Sequence, residues 1–467
     1  MRLAKRALDL PLPLPLLLVA AITLTAAVPL LSPVRAAGLI APVPVEADEQ
    51  EIEVPKEVMG WFYAAIEAGG KGDLAEALRL QRQVMGWVEA NLAPQHSLRA
   101  RSLINLGRWL NQSGRHQEAL AAVLKAERIL RDVVSRNPAY RLVLVTALHN
   151  LAEIYNNLGR PQVAAATNGE AVQILRELVK TNPDLLPSLA LSLSNLSRLH
   201  ASGPQALAPS LEAVRILREL RKVDPETQAG LALELTRVGV LYGELNRPAE
   251  ALALSREAVQ IARQMVKDPQ QRLYLIDALG QLGVRYSQLG QPQQALAPTL
   301  ESLQLLRDLA TTQPARRGDL ARSLDNLATT YCELGQSPQA VAPAQESVAL
   351  WRLLAATDPV HRGSLANALS TLGRAHGESN ELQQALAPLL ESVRILRDLT
   401  RANPRYQGDL ARSLNNLGFL RLILGQTDQA RPLLEESLVL VRPLAGTSPT
   451  LRADMERTEA NLRHLSR

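Results

Sequence analysis

The chain has 467 residues, of which 46% are hydrophobic but only 3% aromatic, and its formal net charge is +5. This length exceeds what one compact core usually supports, and the scarcity of large rings argues against a broad core built around them. Residues 1–36 contain four basic residues and one acidic residue, so the remainder carries only +2. Without a basic patch interleaved with aromatics, nucleic-acid binding is not expected.

The first 36 residues have the order of a secretory signal peptide. A basic start is followed by residues 10–34 without charge, and Val34-Arg35-Ala36 offers small residues for cleavage before Ala37. The apolar part, residues 16–31, is shorter than the ~20 residues of a spanning helix. The alternative is an uncleaved amino-terminal membrane anchor. Either way, the rest of the chain is expected outside the cytoplasm, periplasmic or secreted.

Residues 37–55 form the next segment and are rich in Pro, Val and acidic residues. This composition predicts an acidic, Pro-rich linker that is extended or disordered. Its carboxylates are Glu46, Asp48, Glu49, Glu51 and Glu53.

From residue 56 onward, X-Pro pairs recur at steps of 42 to 45 residues. A period in this range is typical of a repeat array. Proline lacks the N–H that a helix interior needs and disfavours helical backbone at the preceding residue, so each pair predicts a break between helices. The prolines are Pro94, Pro138, Pro183, Pro225, Pro269, Pro314, Pro359, Pro404 and Pro449.

A second pattern runs between the prolines and is clearest in residues 324–328 and 414–418. A motif leucine is followed at once by a small residue, after eight residues by a turn glycine or asparagine, and after thirteen by an alanine. Another small residue lies seven positions beyond the alanine. This spacing predicts two amphipathic helices per repeat, joined at the glycine and packed closely where the small residues lie. In the repeat that begins at Leu417, these positions are Gly418, Gly425, Ala430 and Ser437.

These residues resemble the tetratricopeptide repeat family, and the long units resemble its branch typified by kinesin light chains. The resemblance covers residues 56–467. It implies an all-α fold, an α-solenoid forming a right-handed superhelix of about nine antiparallel helix pairs with a C-terminal capping helix. It also implies that the first helices line a concave surface.

Several positions depart from the pattern. Asn168, Ser210, Ser255 or Thr299 replace a bulky aromatic of the second helix, so we expect neighbours such as Leu211 and Leu300 to supply the packing. Prolines inside the second helices predict a kink or a late helix start. One unit is three residues short near His200, which predicts a tighter turn and a local change of pitch. In the last helix, Arg457, Glu459 and Arg463 are expected to face water. The interior prolines are Pro209, Pro298, Pro343, Pro388 and Pro432.

An asparagine precedes the motif leucine in most repeats. In the resembling family this position points towards the groove, and a ladder of amides could hold an extended peptide by its backbone. Arginines four residues earlier share that helix face and could pair with carboxylates of a ligand. The alternative is structural, with the amides bonded to the adjacent unit and the arginines solvated. The candidate groove residues are Asn105, Asn150, Asn195, Asn326, Asn416, Arg101, Arg322 and Arg412.

Another arginine recurs near the end of every second helix. There it can reach free carbonyl groups or an acidic residue of the neighbouring unit, so we interpret it as structural. Its positions are Arg131, Arg176, Arg218, Arg263, Arg307, Arg352, Arg397 and Arg442.

Enzymatic function has little support in the sequence. The seven histidines show no metal-ligand spacing, and Cys332, the only cysteine, fits a buried filler better than a nucleophile. Gly69-Gly70-Lys71-Gly72 lacks the first glycine and the hydroxyl residue of a phosphate-binding loop. We therefore expect no catalytic residue, no metal and no cofactor.

The sequence favours a non-catalytic scaffold that binds protein or peptide partners. The alternatives are a self-assembling or envelope-associated structural element and the regulatory subunit of a separate enzyme. No nucleic acid is expected as a partner, and a membrane only if the amino-terminal segment stays uncleaved.

Overall fold

The computed structural model describes residues 54–200, 203–221, 227–265, 271–445 and 449–465. Over these residues the fold is all-α: nineteen helices and no strand. The predicted signal peptide, nearly all of the predicted linker, Pro225 and Pro269 lie outside the described residues. The helices are α1 (Lys56–Gly70), α2 (Leu74–Asn91), α3 (Ser97–Gln112), α4 (His116–Arg136), α5 (Arg141–Asn157), α6 (Pro161–Leu178), α7 (Leu186–Leu199), α8 (Pro204–Arg221), α9 (Gln228–Glu244), α10 (Pro248–Gln264), α11 (Arg272–Gln288), α12 (Pro292–Thr312), α13 (Arg317–Glu333), α14 (Ser337–Thr357), α15 (Arg362–Glu378), α16 (Leu382–Ala402), α17 (Gln407–Ile423), α18 (Thr427–Val441) and α19 (Pro449–Leu465).

The helices pack in consecutive pairs, as the repeat predicts, and α19 packs against the last pair. We call the odd-numbered helices α1 to α17 first helices and their even-numbered partners second helices; α19 occupies the position of a further first helix. The chain divides into two compact units within α9, which we call the N-terminal unit (residues 54–234) and the C-terminal unit (residues 235–465).

Within the described residues, the X-Pro pairs lie at the breaks between helix pairs. At five of them the proline opens a single 3-10 turn that leads directly into the next first helix. The residue before the proline often fixes this turn with its side chain: Asn137 Oδ1 accepts a hydrogen bond from the backbone N–H of Ala139 at 3.0 Å, and Asp358 Oδ1 does the same for Val360 at 2.9 Å. This is the local bonding that asparagine and aspartate favour in turns.

The turn inside each pair is set by a left-handed residue. Gly114 has a φ of 77°, and where glycine is replaced, Asn246 and Asn380 adopt φ values of 55° and 64°. Glycine reaches this region without steric cost, and asparagine tolerates it better than most residues. The predicted ends of the first helices are thereby confirmed.

Small residues let the two helices of a pair approach closely. The alanine at the start of each second helix is fully buried, as at Ala295 and Ala340. In the last four pairs, a buried serine seven residues later donates its hydroxyl to a backbone carbonyl of the first helix, for example from Ser302 to Ile276 at 3.1 Å and from Ser392 to Ala366 at 2.7 Å. Close packing therefore comes with satisfied polar groups.

Neither a late start of the second helices nor the predicted packing role of Leu211 and Leu300 is observed. These helices begin about six residues before their interior prolines, at Pro292 in α12 and Leu382 in α16, so no late start occurs. Leu211 and Leu300 do not fill the space of the missing aromatic, since they are 37% and 40% exposed.

The smaller residues at the aromatic position fill that space themselves. Asn168 is buried, and its side-chain amide donates to the backbone carbonyl of Ser192 at 2.8 Å. The buried hydroxyl of Thr299 donates to the backbone carbonyl of Ala295, also at 2.8 Å. Backbone carbonyls within reach make a polar filler possible here.

The last helix also corrects one expectation. Arg457 does not face water: it is buried and lies 3.8 Å from Asp454 in an ion pair. Arg463 is exposed, as predicted. Glu459 is partly exposed and pairs with Arg442 at 3.5 Å. The predicted tighter turn near His200 includes residues 201 and 202, which lie outside the described residues.

Candidate functional site

Consecutive first helices pack against one another in both units. In the N-terminal unit α1 contacts α3 and α3 contacts α5, and in the C-terminal unit the contacts continue from α11 to α13, α15, α17 and α19. We call each line of contact between consecutive first helices a first-helix seam. The face that the first helices share is the predicted groove surface.

Polar side chains bridge the seams at separations of 42 to 46 residues. In the N-terminal unit, Asn111 donates to Glu153 at 3.2 Å and accepts from Asn157 at 3.1 Å. In the C-terminal unit, Asn461 donates to Asn415 at 2.9 Å. Because the separation equals about one repeat, these contacts tie each helix pair to the next.

Three of the predicted groove residues lie in closed parts of the seams. Asn105 is buried, and so is Asn416, whose amide donates to Ser370 Oγ at 3.3 Å. The guanidinium of Arg412 is mostly buried and pairs with Asp409 at 3.4 Å and Asp454 at 3.1 Å. Asn416 and Arg412 thus connect repeats, whereas the buried amide nitrogen of Asn105 has no hydrogen-bond partner.

The other five predicted residues remain partly open to solvent. Asn195 accepts a hydrogen bond from Arg198 of its own helix, and Arg322 lies 3.4 Å from Asp319. Burial lowers the pKa of Arg101, which lies near the phenols of two tyrosines. The amides of Asn150 and Asn326 each keep one buried atom without a hydrogen-bond partner.

Sequence reasoning missed two further arginines on this face of the N-terminal unit. Arg108 and Arg198 are exposed, yet burial by surrounding protein lowers the pKa of each guanidinium. Solvent therefore reaches each of these side chains although protein surrounds it. Both residues follow a motif leucine by two positions, as does the exposed Glu153 between them in the repeat order. That shared position was the signal that could have identified them.

In the C-terminal unit, acidic side chains of the first helices are likewise surrounded by protein. Asp277 of α11 is exposed, but surrounding protein and the neighbouring carboxylate of Asp319 raise its pKa to about 6. Burial also raises the pKa of the partly buried Asp325 to about 6. The first-helix face is therefore a recessed polar surface in each unit.

The recurrent arginines of the second helices have a different environment. They pair with a glutamate on the next second helix, at 2.6 Å from Arg263 to Glu301 and from Arg307 to Glu346. The same pairing joins Arg131 to Glu170, Arg176 to Glu212, Arg352 to Glu391 and Arg397 to Glu436. The structural interpretation is confirmed at these positions. Such exposed pairs each contribute at most about 1 kcal/mol.

The structure offers no support for catalysis by the cysteine. Cys332 is buried in α13, and burial raises the pKa of its thiol to about 12. A thiol held protonated is a poor nucleophile. Among the described residues, no group of three or more His, Cys, Asp or Glu side chains is arranged to hold a metal ion, and no helix has the length and apolar character of a membrane span.

Three family models, each describing a tetratricopeptide repeat, match the chain. One matches residues 59–132, a second matches 144–184, 235–270 and 320–358, and a third matches 407–436. No curated protein matches the chain.

Several solved structures are similar. The apo form of RapI is 12% identical over 79% of this chain and 98% of its own, with a TM-score of 0.50. BtubC from P. vanneervenii is 18% identical over 51% of this chain and 91% of its own, with a TM-score of 0.41. A Podosopora anserina protein described as a kinesin light chain is 19% identical over 46% and 95%, with a TM-score of 0.36. At these identities the similarity concerns the fold alone.

Proposed function

The chain is a tetratricopeptide repeat protein, and we propose that it is a non-catalytic scaffold that binds protein or peptide partners along its first-helix face. The observation that carries the proposal is the recessed polar face itself. It presents arginines that solvent reaches but protein surrounds, together with amides whose hydrogen-bonding groups are incompletely used. Such groups contribute more binding free energy when they bond to a ligand than fully hydrated groups do.

The second helices support the same assignment by contrast. Their recurrent arginines are paired with glutamates of the next repeat, so their charges are already compensated within the chain. The first-helix face keeps guanidinium and amide groups that a peptide backbone or a carboxylate can satisfy. An elongated face of this kind supports several weak contacts with one extended ligand.

Selection of linear peptides from a displayed library against the full chain tests the proposal. We expect replacement of Arg108 and Arg198 by alanine to weaken binding of the selected peptides at least tenfold, because both side chains line the recessed face. The matched control replaces two exposed arginines of the second helices, Arg307 and Arg352, and should leave binding unchanged. Failure to select peptides, or sensitivity only to the control variant, would contradict the proposal.

The candidate asparagines give a second measurement. Asn326→Ala should weaken peptide binding without lowering the melting temperature, because Asn326 is partly open and one of its amide atoms has no partner. Asn416→Ala should lower the melting temperature, because it removes a buried hydrogen bond to Ser370. Loss of stability in Asn326→Ala with binding intact would favour the structural interpretation of the ladder.

We also propose that the protein acts outside the cytoplasm, on the strength of the signal-peptide pattern in residues 1–36. Amino-terminal sequencing of the chain recovered from the envelope or medium checks this, and cleavage should leave Ala37 first. A chain that still begins at Met1 would favour the membrane anchor, and recovery from the cytoplasm would contradict the proposal.

A further inference from the structure

Three carboxyl groups on the first helices of the C-terminal unit lack a cation of their own. We call Glu244, Asp277 and Asp325 the seam carboxylates. They lie on the consecutive first helices α9, α11 and α13. No ion pair within 4.0 Å involves any of them among the described residues, whereas Asp409 on α17 pairs with Arg412.

Glu244 is the last residue of α9. Its Oε2 is buried and receives no hydrogen bond. The charged groups that act on it are Arg285 of α11 and Arg237 of its own helix. Arg285 directs its guanidinium to the carbonyl of Gly239 at 3.4 Å and to Gln281 at 3.2 Å, its Nε is buried without a hydrogen-bond partner, and it forms no ion pair with Glu244.

Asp277 acts across the seam between α11 and α13. The charged groups that act on it are Asp319, Arg316 and Arg322. Both arginines already pair with Asp319, at 3.3 Å and 3.4 Å. Asp277 is thus close to a second carboxylate, Asp319, which already pairs with both nearby arginines.

Asp325 has only a hydroxyl partner, Thr371 of α15. That hydroxyl lies 3.2 Å from the backbone carbonyl of Asn367, to which it donates. The Thr371 hydroxyl thus has one proton for two acceptors, the carboxylate of Asp325 and the carbonyl of Asn367. A protonated Asp325 would donate to Thr371 while Thr371 donates to Asn367, and every group would be satisfied.

We propose that the seam carboxylates make the C-terminal unit proton-responsive: proton uptake tightens the stacking of its helix pairs, and proton release loosens it. The chemistry follows from the contacts. An ionised carboxylate in a seam carries a charge that burial or a neighbouring carboxylate penalises, and a neutral carboxyl group carries no such charge.

The direction of the pH dependence follows from the pKa values. Burial is the main cause that raises the pKa of Glu244 to about 7 and those of Asp277 and Asp325 to about 6. The folded unit therefore holds these protons more tightly than the unfolded chain does. Their stabilising contribution is complete below the unfolded pKa values near 4 and is lost as the pH rises through 6 and 7.

The N-terminal unit contains a seam residue whose pKa is shifted in the opposite direction. Its seam histidine, His149, bonds to the hydroxyl of Ser192 at 2.7 Å, and burial lowers its pKa to about 4. This shift acts in the opposite sense: the unfolded chain binds the proton more tightly, so His149 makes the N-terminal unit more stable as the pH rises from about 4 to about 6.5.

Hydrogen exchange of the full chain at pH 5.5 and 8.0, corrected for intrinsic exchange rates, tests the proposal. We expect protection of α9, α11 and α13 to fall at least tenfold at the higher pH, whereas protection of α5, which carries His149, should not fall. Equal pH dependence in both units, or greater protection of the C-terminal unit at pH 8.0, would overturn the proposal.

A variant that combines Glu244→Gln, Asp277→Asn and Asp325→Asn should show at pH 8.0 the protection that the unmodified chain shows at pH 5.5. The matched control neutralises three exposed carboxylates of the same unit, through Asp308→Asn, Glu435→Gln and Glu456→Gln, and should keep the pH dependence. If the triple variant does not fold, Asp325→Asn alone should reduce the dependence in α13 and leave that of α9 unchanged. Undiminished dependence of α13 in the variant that folds would overturn the proposal.

Discussion

Replacing Leu327 with aspartate is expected to destabilise the helix pairs around α13 by about 4 kcal/mol or more, because it removes a buried apolar side chain and puts a charge in its place. Leu327 is only 4% exposed and lies in a cluster with Ile276, Leu303 and Leu324. This cluster joins α11, α12 and α13. In a stack whose repeats contact only their neighbours, the damage should remain near that cluster.

Hydrogen exchange resolved by helix measures this effect. Protection should collapse in α11 to α14 and persist in α1 to α5. The matched control is Val439→Asp on α18, where the side chain is 73% exposed and the same change should cost no more than about 0.5 kcal/mol. A uniform loss of protection over the whole chain would argue against independent repeats.

Replacing Gly373 with alanine is expected to destabilise the pair of α15 and α16 by about 1–3 kcal/mol, because the site has no room for a methyl group. A Cβ there would lie 2.5 Å from Leu389 Cγ and 3.2 Å from the carbonyl oxygen of Ala385. Gly373 is the small residue that follows a motif leucine. The experiment therefore tests why the repeat keeps that position small.

Gly377, one turn later in α15, supplies the matched control. A Cβ at Gly377 would meet only the Cβ of Ala385 at 4.0 Å, an ordinary contact. Since alanine is favoured over glycine inside a helix by roughly 0.5–1 kcal/mol, Gly377→Ala should be neutral or stabilising. Thermal unfolding of the two variants should show shifts of opposite sign, and equal shifts would show that packing against Leu389 is not limiting.

The sequence predicted the burial of side chains on the first helices less well than it predicted the helices. Asn326 and Asn416 occupy the same repeat position, yet the first is partly open and the second is buried against Ser370. Sequence reasoning likewise placed Arg457 in water, whereas it is buried beside Asp454. In each case the environment is set by a side chain from another helix or by neighbouring charges.

The sequence by itself determined the period, the helix ends and the close-packed positions. Those features depend on local backbone chemistry: the missing N–H of proline, the positive φ of Gly114 or Asn380, and the absence of a side chain at Gly373. Only the tertiary structure decided which polar residues of the first helices are bound in seams and which remain open. Solvent access and pKa depend on atoms contributed by residues about one repeat away, as with Thr371 beside Asp325.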